Sequence, residues 1–120
     1  IREIQAPKYL SGTDLQNAEA KLFEPLLQQS ERIIALDERG KNMKSLAFAN
    51  VLGEWRDDGI RKLTLIIGGA DGLSSGIRHT ANLVLSFGTL TWPHRLVRVM
   101  AAEQLYRAWS ILNHHPYHRE

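Results

Sequence analysis

Apolar residues in this chain gather in short unbroken runs, separated by longer stretches where they recur every three or four positions. The runs occupy residues 32–37 (Arg32-Ile33-Ile34-Ala35-Leu36-Asp37), 63–67 (Leu63-Thr64-Leu65-Ile66-Ile67) and 83–87. Their length and β-branched content predict strands, and the lack of polar alternation predicts that both faces of each are buried. The first is expected to stop at a polar turn through Gly40. The intervening stretches read as helices. One begins at Asp14, with Ser11 or Thr13 as cap and Leu15, Ala18 and Leu22 on one face, and Pro25 is expected to break or kink it near Glu24. Ser45 is expected to cap a second, with Phe48, Leu52 and Trp55 on its buried face and Gly59 at its end. A short helix runs from Ser74 or Ser75 to Ala81, and Pro93 opens a final one reaching about Leu112. Residues 1–5 read as a further short strand. This alternation predicts an α/β fold, a parallel sheet covered by helices on both faces, in a single domain over residues 1–120.

The final helix carries more apolar surface than one packing face requires. Between Leu96 and Leu112 only Arg98, Glu103, Gln104, Arg107 and Ser110 are polar. A helix lying on a sheet needs a stripe of roughly 100°, so the surplus is expected to be covered by a second copy, giving a homodimer. Composition narrows the classes of function. The chain has 120 residues, 23% of them charged, and a net charge of +2, so any nucleic-acid binding must come from local clustering rather than a global basic field. There is no cysteine, hence no disulfide or thiolate metal site, which suits a cytoplasmic protein. No apolar run approaches the roughly 20 residues that span a bilayer, and no signal-peptide pattern opens the sequence, so no membrane association is expected.

In parallel α/β sheets ligands bind beyond the carboxyl ends of strands. Three such ends carry distinctive residues: Leu36-Asp37, Gly68-Gly69, and the segment Phe87-Gly88-Thr89-Leu90-Thr91-Trp92. Glycines there let a ligand approach backbone that a side chain would shield. The loop from Gly68 to Gly72 matches neither a dinucleotide fingerprint nor a phosphate loop with its lysine, and by spacing alone it equally suits a tight strand-to-helix turn. The cations His94, Arg95 and Arg98 crowd the first turns of the last helix, where its dipole disfavours positive charge. An anion site gains from such an arrangement; a fold does not.

Four ordered motifs then point one way: Ile66-Ile67-Gly68-Gly69-Ala70-Asp71-Gly72-Leu73, Leu90-Thr91-Trp92-Pro93-His94-Arg95-Leu96-Val97-Arg98-Val99, Glu103-Gln104-Leu105-Tyr106-Arg107-Ala108-Trp109 and Pro116-Tyr117-His118-Arg119. Together they resemble the ribosomal RNA large subunit methyltransferase H family, within the SPOUT methyltransferases. The resemblance covers essentially the whole chain and is dense from Ile33 onward. It implies a C-terminal trefoil knot, a homodimer with active sites at its interface, S-adenosylmethionine as methyl donor, and N3-methylation of a pseudouridine in large-subunit rRNA of the assembled ribosome. The knot comes from the resemblance alone, since base rates argue against one. The family pattern opens with a further strand and helix ahead of the position of Ile1, so the domain is expected to lack that pair. Trp92 and Arg95 stand where the family commonly has smaller or uncharged residues.

Position by position, the resemblance implies donor contacts at Leu36, Gly68, Phe87, Gly88, Thr89, Leu90, Thr91 and Trp92, the same three strand ends singled out above. Leu36, Leu90 and Trp92 supply apolar walls of the kind an adenine ring needs; core packing is the other reading of the two leucines, and an interface aromatic that of Trp92. Methyl transfer to an imide N3 requires loss of its proton. His94 is placed to act as base and Arg98 to steady the uracil oxygen or a phosphate; a backbone-bonded helix-entry residue and a structural ion-pair partner are the alternatives. Tyr117, His118 and Arg119 suit stacking on an exposed base and holding phosphate, where a frayed terminus is the alternative. Pro116 interrupts any helix that would align His114 with His118, so no metal is expected. His79 reads as solvated surface. A non-catalytic ribosome- or RNA-binding module is the competing function, disfavoured by an intact cofactor loop.

Overall fold

The protein is described from a computed structural model covering residues 12–68, 72–90 and 92–119. The expected strand at residues 1–5, the Ser11 cap and Thr91 lie outside the described residues. Seven elements follow one another: α1 (Gly12–Gln28), β1 (Arg32–Lys41), α2 (Ser45–Asp57), β2 (Leu63–Ile67), α3 (Ser75–Thr80), β3 (Leu83–Leu85) and α4 (His94–Leu112). The strands form a parallel sheet in the order β2-β1-β3. The chain thus steps from β1 to β2 and then back past β1 to β3. Crossovers of one hand taken in opposite directions fall on opposite faces of a sheet. Accordingly α2 and α4 cover one face, and α3 with α1 covers the other.

Alternation along β1 divides the interior in two. Ile34 and Leu36 point toward Phe48 and Ala49 of α2 and Ala101 and Ala108 of α4. Ile33 and Ala35 point the other way, to Leu73, Ile77 of α3, and Phe23 and Leu27 of α1. Small residues let α2 and α4 approach closely; a Cβ on Gly53 would stand 2.9 Å from Leu112 Cδ2. The expected α/β architecture with both faces covered is therefore present. The trefoil knot implied by the resemblance is not visible among the described residues.

Several expectations need correction. α1 starts at Gly12, ahead of Thr13, and runs through Pro25 without ending near Glu24. Proline frees the carbonyl of Lys21, but both residues face water, which can satisfy that oxygen. Its packing face is Ala20, Phe23 and Leu27, while Leu22 is exposed. The Ser30 hydroxyl closes the helix by donating to the Leu26 carbonyl at 2.8 Å and meets Thr64 of β2. Ser45 is not a cap: Lys44 holds that position without a side-chain bond, and the Ser45 hydroxyl donates to Gln104 of α4 at 2.9 Å. Ser74 does cap α3, accepting from the Ile77 N–H at 3.2 Å. β1 continues beyond Asp37 through an irregular pairing, and Lys41 returns beside Leu85. Gly40 permits this, because a Cβ there would stand 2.6 Å from the Val84 carbonyl oxygen. β3 ends at Leu85 rather than residue 87; beyond it the Ser86 hydroxyl accepts from the Gly88 N–H at 3.0 Å.

Candidate functional site

The register of the sheet builds the site. Leu36 pairs with Ile67 on one side and with Leu85 on the other, so β2 and β3 end level with Leu36 of the longer β1. β1 and β2 send their following helices to opposite faces, which opens a crevice at their carboxyl ends. A cleft of about 440 Å³ lies there. β1 contributes Leu36, Asp37, Glu38 and Arg39, and the end of β2 with the following turn contributes Ile67, Gly68 and Gly72. The segment from β3 contributes Leu85, Phe87, Gly88, Leu90 and Trp92, and α4 adds Val97. Of the residues expected to hold a donor, Leu36, Gly68, Phe87, Gly88, Leu90 and Trp92 meet in this one cleft. Thr89 is exposed and does not line it. Leu90 stands out at the rim, 70% exposed.

The glycines of the turn do more than bare the backbone. A Cβ on Gly68 would meet the Gly72 carbonyl carbon and Leu73 Cγ, each at 2.9 Å. Gly72 has a φ of +78°, and a Cβ there would lie 2.7 Å from Arg39 Nη2. Both positions are therefore glycine because Gly72 and Leu73 lie close beside Gly68, and Gly72 beside Arg39 of β1.

Sequence reasoning missed the charged pair at this end. The Asp37 side chain is only 1% exposed, yet it is ionised. Burial raises its pKa; the Arg39 guanidinium and the N–H groups of Arg39 and Leu73 outweigh that and hold it at about 2. Oδ1 accepts from the Arg39 N–H at 3.0 Å and Nε at 2.8 Å, and Oδ2 from Nη2 at 2.9 Å and the Leu73 N–H at 3.1 Å. The available signal was an acid ending an apolar strand with an arginine two positions on.

His94 is the first residue of α4, exposed, and does not line the cleft. Arg98 lies one turn further on the same face and is half-buried. Of the first turns of α4, Val97 lines the cleft and these two residues do not.

α4 has two apolar faces, as its sequence predicts. Ala101, Leu105, Ala108 and Leu112 pack on the sheet and α2. Leu96, Val99, Ala102, Tyr106 and Trp109, spaced three or four apart, form an outward stripe, with Val99 65% and Trp109 53% exposed. The tail is not frayed. His114 takes a positive φ of 57°, and the His115 N–H donates to the Ser110 carbonyl at 2.7 Å, turning the chain back along the helix. The Tyr117 hydroxyl donates to Glu103 Oε1 at 3.2 Å, its ring meets Tyr106 edge-on at 4.8 Å, and the Arg107 guanidinium lies 4.9 Å from its centroid. Arg107 also donates to His118 Nδ1 at 3.1 Å, while Arg119 is exposed. Among the described residues, no helix is long and apolar enough to cross a membrane.

The sequence is similar to known proteins. A family model described as "Predicted SPOUT methyltransferase" matches residues 1–118. A Paramagnetospirillum magneticum protein named Ribosomal RNA large subunit methyltransferase H is 46% identical over 119 residues, which span 99% of this chain and 78% of that one. Its namesake in Rhodospirillum centenum is 48% identical, with 99% and 78% of the two chains covered. The Mesorhizobium japonicum namesake is 50% identical, with 99% and 74% covered. A match of this identity running through the residues that form the cleft, the outward stripe and the docked tail places the chain: it belongs to the SPOUT methyltransferase family.

Proposed function

We propose that the protein methylates large-subunit ribosomal RNA, transferring the methyl group of S-adenosylmethionine to N3 of a pseudouridine in the assembled ribosome, as a cytoplasmic homodimer. The observation that carries this reading is the meeting of Leu36, Gly68, Phe87, Gly88, Leu90 and Trp92 in one cleft at the carboxyl ends of the strands, in a chain whose relatives bear the name of an rRNA methyltransferase. The residues suit the donor. Apolar walls from Leu36, Leu85 and Leu90 fit an adenine ring, the glycines leave main-chain groups approachable, and the Glu38 carboxylate in the lining favours a positively charged amino-acid moiety.

When bound, S-adenosylmethionine supplies an already activated methyl group, so the protein's task is alignment, proton removal and charge stabilisation. His94, the first residue of α4, takes the N3 proton. Arg98, one turn along, offsets the charge that develops on the uracil oxygen. Tyr117, His118 and Arg119 hold the RNA. In one subunit the docked tail lies alongside the middle of α4, near Tyr106 of the outward stripe. Antiparallel pairing of two α4 helices through that stripe brings the tail of one subunit toward the partner's cleft, making each active site composite. Incubating the purified protein with ribosomes and labelled S-adenosylmethionine tests the reading. Label in large-subunit rRNA, lost on substitution of His94 or Arg98, is the expected result; label that enters no RNA contradicts it.

A further inference from the structure

The Asp37–Arg39 pair has no place in the donor contacts or the proton transfer, yet both residues belong to the lining of the cleft. We propose that it is the latch that holds Gly72 and Leu73 against the end of β1 and so keeps Gly68 in its donor-binding position, making Asp37 and Arg39 positioning residues. The inference rests on reading the cleft as the donor site.

Its basis is a two-point grip on Leu73. Asp37 Oδ2 accepts the Leu73 N–H at 3.1 Å, and Arg39 Nη2 donates to the Leu73 carbonyl at 3.2 Å. Both main-chain groups of that residue are thereby fixed to the end of β1. From there the contacts run unbroken to the donor wall. Arg39 Nη2 fills the space that a Cβ on Gly72 would need, 2.7 Å from that position, and Gly72 with Leu73 fills the space beside Gly68, 2.9 Å from where its Cβ would stand. Leu73, gripped by the pair, is thus also the neighbour of Gly68 in the cleft lining, so the position of the guanidinium bears on that wall. The pair is also suited to stand beside a cationic donor. Its charges cancel, so it neither repels a sulfonium nor recruits a competing anion. Both Asp37 oxygens are engaged by the fork and two N–H groups. A lysine would keep the charge at residue 39 but not the bidentate geometry.

Arg39→Lys and Asp37→Asn in the full chain test the latch. Arg39 is 43% exposed, so its lysine variant should fold even where the Asp37 variant does not. Calorimetry with S-adenosylmethionine should show affinity reduced about tenfold, the scale of one hydrogen bond to a charged group. The KM for the donor should rise with it, while the KM for ribosomes stays unchanged and saturating donor restores turnover. Faster hydrogen exchange at the Leu73 amide should accompany the loss. Wild-type donor affinity in a folded Arg39→Lys protein overturns the latch. So does a parallel fall in the donor and ribosome parameters, which marks lost folded protein only. If the unaltered protein binds no donor, the proposed methyl-transfer reading fails first, and the latch falls with it.

Discussion

Replacing Asp37 by asparagine removes a charge from a place where the fold has fully enclosed it. In the native chain the carboxyl is held at about 2 against an ordinary 3.8, because burial, which disfavours the charge, is outweighed by the Arg39 fork and two N–H donors. A native pKa below the unfolded one means that folding favours the ionised form. The associated stability is complete above the unfolded value and disappears as pH falls through the native one. Lowering a carboxyl from 3.8 to about 2 contributes about 2 kcal/mol at neutral pH. Asparagine keeps the shape and one accepting oxygen but turns an NH2 toward two of the four donors, so the lost charge sets the minimum loss. Urea unfolding of wild type and Asp37→Asn should differ by at least about 2 kcal/mol at pH 7. The gap should narrow between about pH 4 and pH 2, where the wild-type carboxyl itself becomes neutral. Equal stability at pH 7, or a difference that does not shrink in acid, refutes this account of the pair.

Other outcomes follow from the same geometry. Gly68→Val should abolish donor binding by displacing the turn, since its Cβ already falls 2.9 Å from the Gly72 carbonyl carbon and Leu73 Cγ; calorimetry on the folded variant decides, and wild-type affinity counts against it. Glutamate at both Val99 and Trp109 puts charge on the outward stripe and should yield a monomer in sedimentation at micromolar concentration, with methyl transfer lost; an intact dimer contradicts the assigned interface. Deleting residues 117–120 should leave donor affinity nearly unchanged and remove transfer to ribosomes, each stacked base contributing about 1–3 kcal/mol; full-rate methylation by the truncated chain refutes an RNA role for the tail.

The parts legible in the sequence are those governed by local rules. Unbroken runs such as Leu65-Ile66-Ile67 could only be strands buried on both faces, and this fixed the parallel sheet and hence the edge where ligands bind. Ser74 and Pro93 marked helix starts that the structure reproduces. What escaped depends on tertiary context. Pro25 stays within α1 because the carbonyl it orphans faces water, which no window of sequence reveals. The extension of β1 to Lys41 depends on Gly40 lying against the backbone of Val84, more than forty positions away. The Asp37–Arg39 grip on Leu73 is likewise long-range, since it requires the turn after β2 to fold back on β1. His114 gave no sign of the left-handed turn that docks Tyr117 on α4.

The central claim is that the cleft at the strand ends is the methyl-donor site of an rRNA methyltransferase. Its most direct measurement is transfer of labelled methyl from S-adenosylmethionine to ribosomes, run with wild type and with Leu36→Arg, which sets a long cationic side chain at a leucine shared by the core and the cleft wall. The account predicts label at N3 of one pseudouridine in large-subunit rRNA with wild type, and neither label nor calorimetric donor binding with the folded variant. Undiminished transfer by folded Leu36→Arg, or no label from wild type on ribosomes lacking the modification, contradicts it.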